Sequence, residues 1–389
     1  MSKLRKDEKD FDKKYVYFIT GGGTGGHIYP AVAVADELIN DVETDKLFYI
    51  GNSKNLEYKI VREKGYDFLS VDVSGMPRKF SVQFLKWSVK LVFAILKSIF
   101  YILKYKPDGI FGTGGYVSAP ILFANLLLTK LRIKAIPYIL HDCDSQPGLV
   151  TRKFASNAKS ISLAFENACE FINNPNCIIN GNPVRKEFKT LSKKDARLKL
   201  GLQDKLTLCA MGGSQGARTI NQALIKCLKA VTNDLDLQVI FQTGKKNYDE
   251  ALQLLSSYYP EYSEDKNILL KPYFDDMVTI LKSSDIAISR SGSLSISEIY
   301  ASNIASILIP YPYAAADHQR KNARYVVEKD AGIFIEDSDI TPEILLENLK
   351  LLINDKKYLA SLQQNSFDLA KLNGASDIAN QIKEMVKNE

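Results

Sequence analysis

The sequence predicts an α/β protein made of two doubly wound, parallel-sheet domains of similar plan. Three observations predict it. An apolar strand, a glycine-rich turn and a helix with apolar spacing follow one another in residues 15–38, YVYFITGGGTGGHIYPAVAVADEL. The same series returns at residue 206 as LTLCAM, then GGSQG, then a helix beginning near Ala217. Elsewhere short β-branched runs alternate with helical patterns over 389 residues, a length suited to two domains.

Composition narrows the class. The chain is 46% hydrophobic and 25% charged, as in soluble globular proteins, with a mild net charge of +6. Its five cysteines are odd in number and form no CxxC, which argues against a disulfide framework or a zinc knuckle and fits a reducing compartment. Residues 1–14 are charged throughout, lack an apolar signal region and read as a tail before Tyr15.

The first element is the strand Tyr15–Thr20, apolar and rich in aromatic and β-branched residues. Five of the next six residues are glycines, interrupted by Thr24. Ile28, Val32, Ala35 and Leu38 then recur at helical spacing. Glycine lets a backbone press against a ligand, and the first helical turn points free N–H groups into the turn. That is an anion site, most naturally for phosphate. The competing reading is a tight βα turn without a ligand. No Gly-Lys-Ser/Thr follows, which argues against an ATP-type loop. His27 stands at the helix start with a side chain able to take a proton.

Strands are expected at 47–50 and 68–73, and Gly75-Met76-Pro77 breaks the chain. Residues 80–105 read as one long apolar helix. Its Lys86, Lys90, Lys97 and Lys104 fall within roughly 40° of one another at 100° per residue. Its uncharged stretches fall short of the ~20 residues needed to span a bilayer. A solvated stripe on a packed helix is one reading. Contact with an anionic membrane surface is the other, favoured because the helix is apolar around most of its circumference.

Next come a strand at Gly109–Gly112, a glycine turn at 113–116, a helix over 117–131 and a strand over 135–140. The loop HDCDSQPG follows at 141–148. Ser160–Leu163 and Cys177–Ile179 are short strands. The domain boundary is placed at the GNPVR segment, 181–185, leaving an N-terminal domain of 15–180 and a C-terminal domain of 186–374. In the second half, strands are expected at 206–211, Gln238–Gln242, 268–270, Ile286–Ser289 and 305–309. The turn Arg290-Ser291-Gly292-Ser293 leads into a helix carrying Glu298. Every polar loop named here lies at the carboxyl end of a strand, where open parallel sheets bind ligands, and two such edges facing each other make a cleft.

The only histidines, His27, His141 and His318, each follow a strand end, a pointer to a shared site against the plainer reading of core or capping roles. Their spacing does not suit a metal. Asp142-Cys143-Asp144 is a DxD string of the kind one class of sugar transferase uses to hold a metal. It is discounted here, because that class has a single domain of different layout. Ser214 lies in GGSQGA, which is not GxSxG, so a helix-start phosphate contact suits it better than hydrolysis. Glu298 suits a ribose diol, or is an exposed helix glutamate.

Taken together, GGGTGGHIYPAVAVA, FGTGGYVSAP, GNPVR, MGGSQGAR, FDDM, RSGSLSISE and Asp317-His318-Gln319 resemble, in order, the motif series of the MurG family. These are peptidoglycan transferases that move N-acetylglucosamine from UDP onto lipid I to make lipid II. The resemblance covers all but the N-terminal tail. It implies a GT-B fold, a nucleotide-sugar site in the C-terminal half and a lipid-acceptor site in the N-terminal half. It also implies that the last helix, 375–389, returns to the N-terminal domain, and that the enzyme is peripheral on the cytoplasmic face of the bacterial plasma membrane.

By position, the resemblance assigns Thr24, Gly25, Gly26, Arg185, Ser214, Phe274, Ser293, Leu294, Ser295, Glu298 and Gln319 to the donor. Ser214 would lie near the diphosphate, the Phe274 backbone at the uracil, Glu298 at the ribose hydroxyls and Gln319 at the transferred sugar. Gly22, Gly23, Gly114, Gly115 and Tyr116 would hold the acceptor diphosphate. One departure stands out. The family loop reads HEQN, and here Asp144 replaces the asparagine, losing two N–H donors and adding a charge that can shift substrate preference.

The expected mechanism is a single inverting displacement by the muramic C4 hydroxyl, with His27 as general base and helix N-termini stabilising the departing UDP. The reading requires neither a cofactor nor a protein-bound metal, though a divalent ion is compatible with it. Alternatives are a UDP-sugar:diacylglycerol transferase and a catalytically silent sugar-nucleotide-binding protein. Nucleic acid is disfavoured as a partner, because the basic residues interleave with aliphatics.

Overall fold

The computed structural model describes residues 14–77, 79, 81–213 and 215–388, so the charged tail at 1–13 and the donor candidate Ser214 lie outside the described residues. The chain forms two compact units. One comprises Met1–Pro183 with Asn373–Glu389, the other Val184–Leu372.

Unit 1 carries seven parallel strands: β1 (Tyr15–Thr20), β2 (Thr44–Gly51), β3 (Asp67–Ser70), β4 (Gly109–Gly112), β5 (Tyr138–Asp142), β6 (Ser160–Leu163) and β7 (Cys177–Ile179). Their order is β3-β2-β1-β4-β5-β6-β7, so the winding reverses between β1 and β4. Thr20 is level with Gly112, and Gly112 with Leu140. The turns after β1 and β4 therefore leave the sheet side by side. The crossovers are α1 (Gly25–Ile39), α2 (Leu56–Glu63), α3 (Val82–Tyr105), α4 (Ala119–Lys130) and α5 (Leu149–Phe154). The sequence pattern misses α2, whose eight residues carry only two buried side chains, Glu57 and Val61. It also ends β5 two residues early, because His141 and Asp142 are polar yet fully paired in the sheet with Ser162 and Leu163.

Alternation along the strands splits the core between the two faces of the sheet. Phe18, Ile50, Ile110 and Leu140 pack with α3 and α4. Tyr17, Ile19, Tyr49, Phe111 and Ile139 face α1 and the C-terminal helix.

Unit 2 contains α6 (Glu187–Thr190), α7 (Lys193–Leu200), α8 (Arg218–Asn233), α9 (Tyr248–Tyr258), α10 (Met277–Ser283), α11 (Ser293–Ser302), α12 (His318–Glu328), α13 (Pro342–Asn354) and α14 (Lys356–Asp368). They surround β8 (Thr207–Met211), β9 (Gln238–Gln242), β10 (Ile268–Lys271), β11 (Ile286–Ser289), β12 (Ala305–Leu308) and β13 (Ile333–Phe334). This sheet is also parallel, ordered β10-β9-β8-β11-β12-β13, and reverses between β8 and β11. Met211 is level with Ser289, placing its two glycine turns side by side as well.

The chain then returns to unit 1 as α15 (Gly374–Lys387). Ile378, Ile382, Met385 and Val386 bury one face of α15. Gly109 is bare because a Cβ there would lie 2.8 Å from Val386 Cγ1. Lys383 Nζ bonds Asp41 at 2.7 Å and holds that carboxyl below the usual range.

The long helix α3 is only partly buried. Ala94, Ser98, Tyr101 and Ile102 face the core. Val82, Leu85, Val89, Val92, Phe93, Leu96, Phe100 and Leu103 are exposed. At 100° per residue these eight occupy an arc of roughly 100°, flanked on one edge by the lysine stripe. Among the described residues, no helix is long and apolar enough to cross a membrane.

Candidate active site

In unit 1 the turn after β1 is built to stand clear of side chains. Gly23 has φ +89°, and Gly114 and Gly115 in the neighbouring turn have φ +81° and +73°. A Cβ on Gly115 would meet Gly22 O at 2.6 Å and His27 Cδ2 at 3.1 Å. Glycine at 115 is therefore what lets the two turns touch and the His27 ring lie between them. Thr113 Oγ1 donates to His27 O at 2.6 Å and fixes the start of α1. His27 Nδ1 is buried and has no hydrogen-bond partner among the described residues. Gly25 and Gly26 are the first residues of α1, so their N–H groups have no intrahelical acceptor.

The turn is pinned from behind. Tyr49 Oη donates to Gly21 O at 2.7 Å, and the N–H of Gly23 donates to Glu57 Oε2 at 3.4 Å. Gly22 is buried. Outward donors thus come from the start of α1 rather than from Gly22 and Gly23. Tyr116 is half-buried, and its hydroxyl accepts from Asn55 Nδ2 at 3.0 Å.

His141 is not free for chemistry. It is fully buried, with Nδ1 3.0 Å from Ser162 Oγ and Nε2 3.1 Å from Asn182 Oδ1. Burial pushes its pKa down to about 4, so it is neutral at physiological pH. Asp142 is also buried. Burial first, then the charge of Asp144, push its carboxyl upward. Its oxygens accept from Gly148 N at 2.9 Å and Asp144 N at 3.3 Å, shaping the loop. Asp142, Cys143 and Asp144 place one ligand atom each within 4.8 Å of one another, but Asp142 is committed to these loop bonds.

In unit 2 the corresponding turn is equally compact. Gly216 has φ +77°, and a Cβ on it would lie 2.1 Å from Thr243 O. The turn after β11 opens α11 at Ser293, so the N–H groups of Ser293, Leu294 and Ser295 lack intrahelical acceptors. Glu298, one turn on, bonds Arg185 Nη2 at 3.0 Å. Burial raises its carboxyl above the usual carboxylate range, and the Arg185 guanidinium pulls it back. Arg185 itself is half-exposed and lies over the Phe188 ring.

Two other donor candidates are partly committed. Phe274 is buried and its N–H donates to Gln242 Oε1 at 2.8 Å, so its carbonyl is the backbone group left for a base. Gln319 Oε1 accepts from Tyr311 N at 2.9 Å, leaving its amide N–H groups for a ligand. His318 Nδ1 sits 2.7 Å from Ala315 O, in a unit separate from His27 and His141. His27 and His141 share unit 1, near enough for the charge of His27 to add to the lowering of the His141 pKa, and His318 belongs to unit 2.

Sequence reasoning missed Glu57, Asn55 and Tyr49. Nothing in the sequence pattern singles out Glu57, and only the placement of α2 behind the turn reveals it as buried.

The family model of the glycosyltransferase family 28 N-terminal domain matches residues 17–163, and that of the C-terminal domain matches 207–382. A Halothermothrix orenii protein named UDP-N-acetylglucosamine--N-acetylmuramyl-(pentapeptide) pyrophosphoryl-undecaprenol N-acetylglucosamine transferase is 37% identical over 372 residues, 95% of this chain and 98% of that protein. A Bacillus subtilis protein of the same name is 32% identical, over 95% of this chain and 99% of its own.

The chain belongs to the MurG family.

The crystal structure of Acinetobacter baumannii MurG superposes with a TM-score of 0.77 at 24% identity, over 96% of this chain and 100% of that one. A UDP complex of Staphylococcus aureus MnaA superposes at 0.64 with 13% identity, over 96% and 97%. Both share the GT-B fold seen here as two parallel sheets. The MurG family motifs all fall on the strand-end loops described above, except those resting on Ser214.

Glu298→Ala should weaken UDP and UDP-sugar binding by about tenfold, the lower end for a charged hydrogen bond. Calorimetric titration with UDP checks this. Unchanged affinity would remove Glu298 from the ribose.

Proposed function

We propose that this glycosyltransferase moves N-acetylglucosamine from UDP-N-acetylglucosamine to the muramic C4 hydroxyl of lipid I, giving lipid II. The observation that carries the reading is the near full-length match, at 31–37% identity, to enzymes named for that transfer. Unit 2 takes the donor. The N-terminus of α11 faces the diphosphate, Glu298 holds the ribose, and Gln319 contacts the sugar. Unit 1 takes the acceptor at the turns carrying Gly114, Gly115 and Tyr116 and at the start of α1, where Gly25 and Gly26, given to the donor by the family resemblance, are reassigned to the acceptor because the Gly23 N–H is spent on Glu57.

The chemistry is one displacement. The C4 oxygen forms a bond to the anomeric carbon as the bond from that carbon to the β-phosphate oxygen breaks. The electron pair leaves with UDP, the hydroxyl proton passes to His27, and the configuration inverts. His27 suits this because its ring is only half-buried and is held against Gly114 and Gly115. Developing charge on UDP is met by N–H groups already oriented at helix starts. The reading assigns no resident metal or cofactor.

Because the acceptor is lipid-linked, the enzyme works at an anionic membrane surface. The exposed apolar arc of α3 enters the headgroup boundary, and the lysines beside it meet the anionic headgroups. On this reading the protein is a peripheral one on the cytoplasmic leaflet.

A UDP-release assay with purified lipid I, diacylglycerol and a panel of UDP-sugars tests the reading, and turnover confined to UDP-N-acetylglucosamine with lipid I is expected. In that assay His27→Ala should lower turnover by about 10²-fold with UDP affinity unchanged. Near wild-type turnover would place the base elsewhere.

Replacing Lys86, Lys90, Lys97 and Lys104 by glutamine should sharply reduce binding to anionic vesicles, at ~1 kcal/mol per lysine near the surface. Activity on a short-chain, water-soluble acceptor should persist. Vesicle sedimentation equal to wild type at low salt would leave the stripe as a solvated face.

A further inference from the structure

We infer that Glu57 is a positioning residue for the acceptor half of the reaction, tying the two glycine turns of unit 1 to each other. The inference rests on the reading that unit 1 holds the acceptor.

Glu57 is fully buried in the first turn of α2. Among the described residues it has no cationic partner. It accepts three N–H donors instead: Gly23 N at 3.4 Å, Asn52 N at 3.2 Å and Asn55 Nδ2 at 3.2 Å. Such a set suits a carboxylate, which only accepts, and does not suit an amide, whose NH₂ would face a donor. Two glycines make room for it. A Cβ on Gly22 would lie 2.7 Å from Glu57 Oε1, and one on Gly51 would lie 3.0 Å from Glu57 Cγ.

The same Asn55 amide that donates to Glu57 also donates to Tyr116 Oη at 3.0 Å. A Cβ on Gly23 would stand 3.0 Å from Tyr116 Cε1, so the ring closes over the first turn. A chain of contacts thus runs Gly23, Glu57, Asn55, Tyr116 and back to Gly23. It joins the turn after β1 to the turn after β4 through side chains from the β2–α2 connection.

The consequence is a sorting of donors. The Gly23 N–H is turned inward onto a buried carboxylate, so it does not compete for an acceptor phosphate. The N–H groups of Gly25 and Gly26 remain outward, and His27 stays between the turns. Losing the carboxylate releases Gly23 and lets the turn relax, which misplaces both the outward donors and the His27 ring. Because these groups serve the acceptor, the damage falls on acceptor kinetics and spares the donor.

The test compares Glu57→Gln, Asn55→Ala and Tyr116→Phe in the full-length protein. We expect Glu57→Gln to reduce kcat/KM for lipid I by at least about tenfold with UDP affinity unchanged, and Glu57→Asp to recover part of the loss, as expected when a charge-assisted bond is involved. Asn55→Ala and Tyr116→Phe should show smaller losses in the same acceptor parameter. Hydrogen exchange at the Gly23 amide should quicken in Glu57→Gln, a readout that stands even if lipid I proves not to be the acceptor. Wild-type acceptor kinetics in Glu57→Gln would overturn the inference, as would an equal loss of UDP affinity. If Glu57→Gln does not fold, unchanged acceptor kinetics in both Asn55→Ala and Tyr116→Phe would overturn it.

Discussion

The structure depends on a close backbone approach repeated in each unit. In unit 1, Thr20 and Gly112 end adjacent strands at the same level, so the turns that follow must share one space. They can share it only because positions 21 and 115 carry no Cβ, which would lie 2.0 Å from Thr113 Oγ1 and 2.6 Å from Gly22 O, respectively. In unit 2, Met211 and Ser289 are level in the same way, while the close approach is between the turns after β8 and β9, where Gly216 Cα and N lie 2.4 Å from the missing Cβ of Gly244. In unit 1 the approach lies where the sheet reverses its winding, and in unit 2 it lies between β8 and β9, one strand from the reversal between β8 and β11. The fold therefore presents oriented, unsatisfied N–H groups at the strand ends of both sheets. An enzyme whose donor and acceptor both carry diphosphates has use for two such places.

The side chains around these turns divide into those that hold the backbone and those left free to meet a ligand. Tyr49, Thr113 and Glu57 hold the first turn, each by a bond to its backbone. His141 and Asp142 shape the next loop, and both spend their polar atoms inside the protein. His27, Gln319 and Glu298 differ from them. His27 is half-buried, Gln319 keeps its amide N–H groups, and among the described residues Glu298 is paired only with the half-exposed Arg185. The replacement of the family asparagine by Asp144 falls in the shaping loop, next to a buried carboxyl that it pushes upward.

The architecture was legible in the sequence because apolar β-branched runs, glycine turns and helical spacing are local signals, and the motif series from Thr20 to Ala323 is specific as a set. Family, fold and transfer activity follow from the same residues. What was not legible is how polar residues are spent. His27 and His141 look alike as histidines after strand ends, yet one ring nitrogen is unpartnered and the other ring is saturated. Glu298 reads as a helix glutamate and Glu57 carries no signal of its own, and only the elements packed around Glu57 show that it is buried behind a glycine turn. The helix α2 escaped notice for a related reason, since its buried face consists of one valine and one glutamate.

The central claim is that helix starts at the two sheet reversals hold the substrates, with the nucleotide in unit 2. Amide hydrogen exchange with and without UDP tests it most directly. The account predicts slowed exchange across residues 290–298 on adding UDP, with residues 21–27 slowed only when an acceptor analogue is added. Protection by UDP confined to residues 21–27, or none at 290–298, would contradict it.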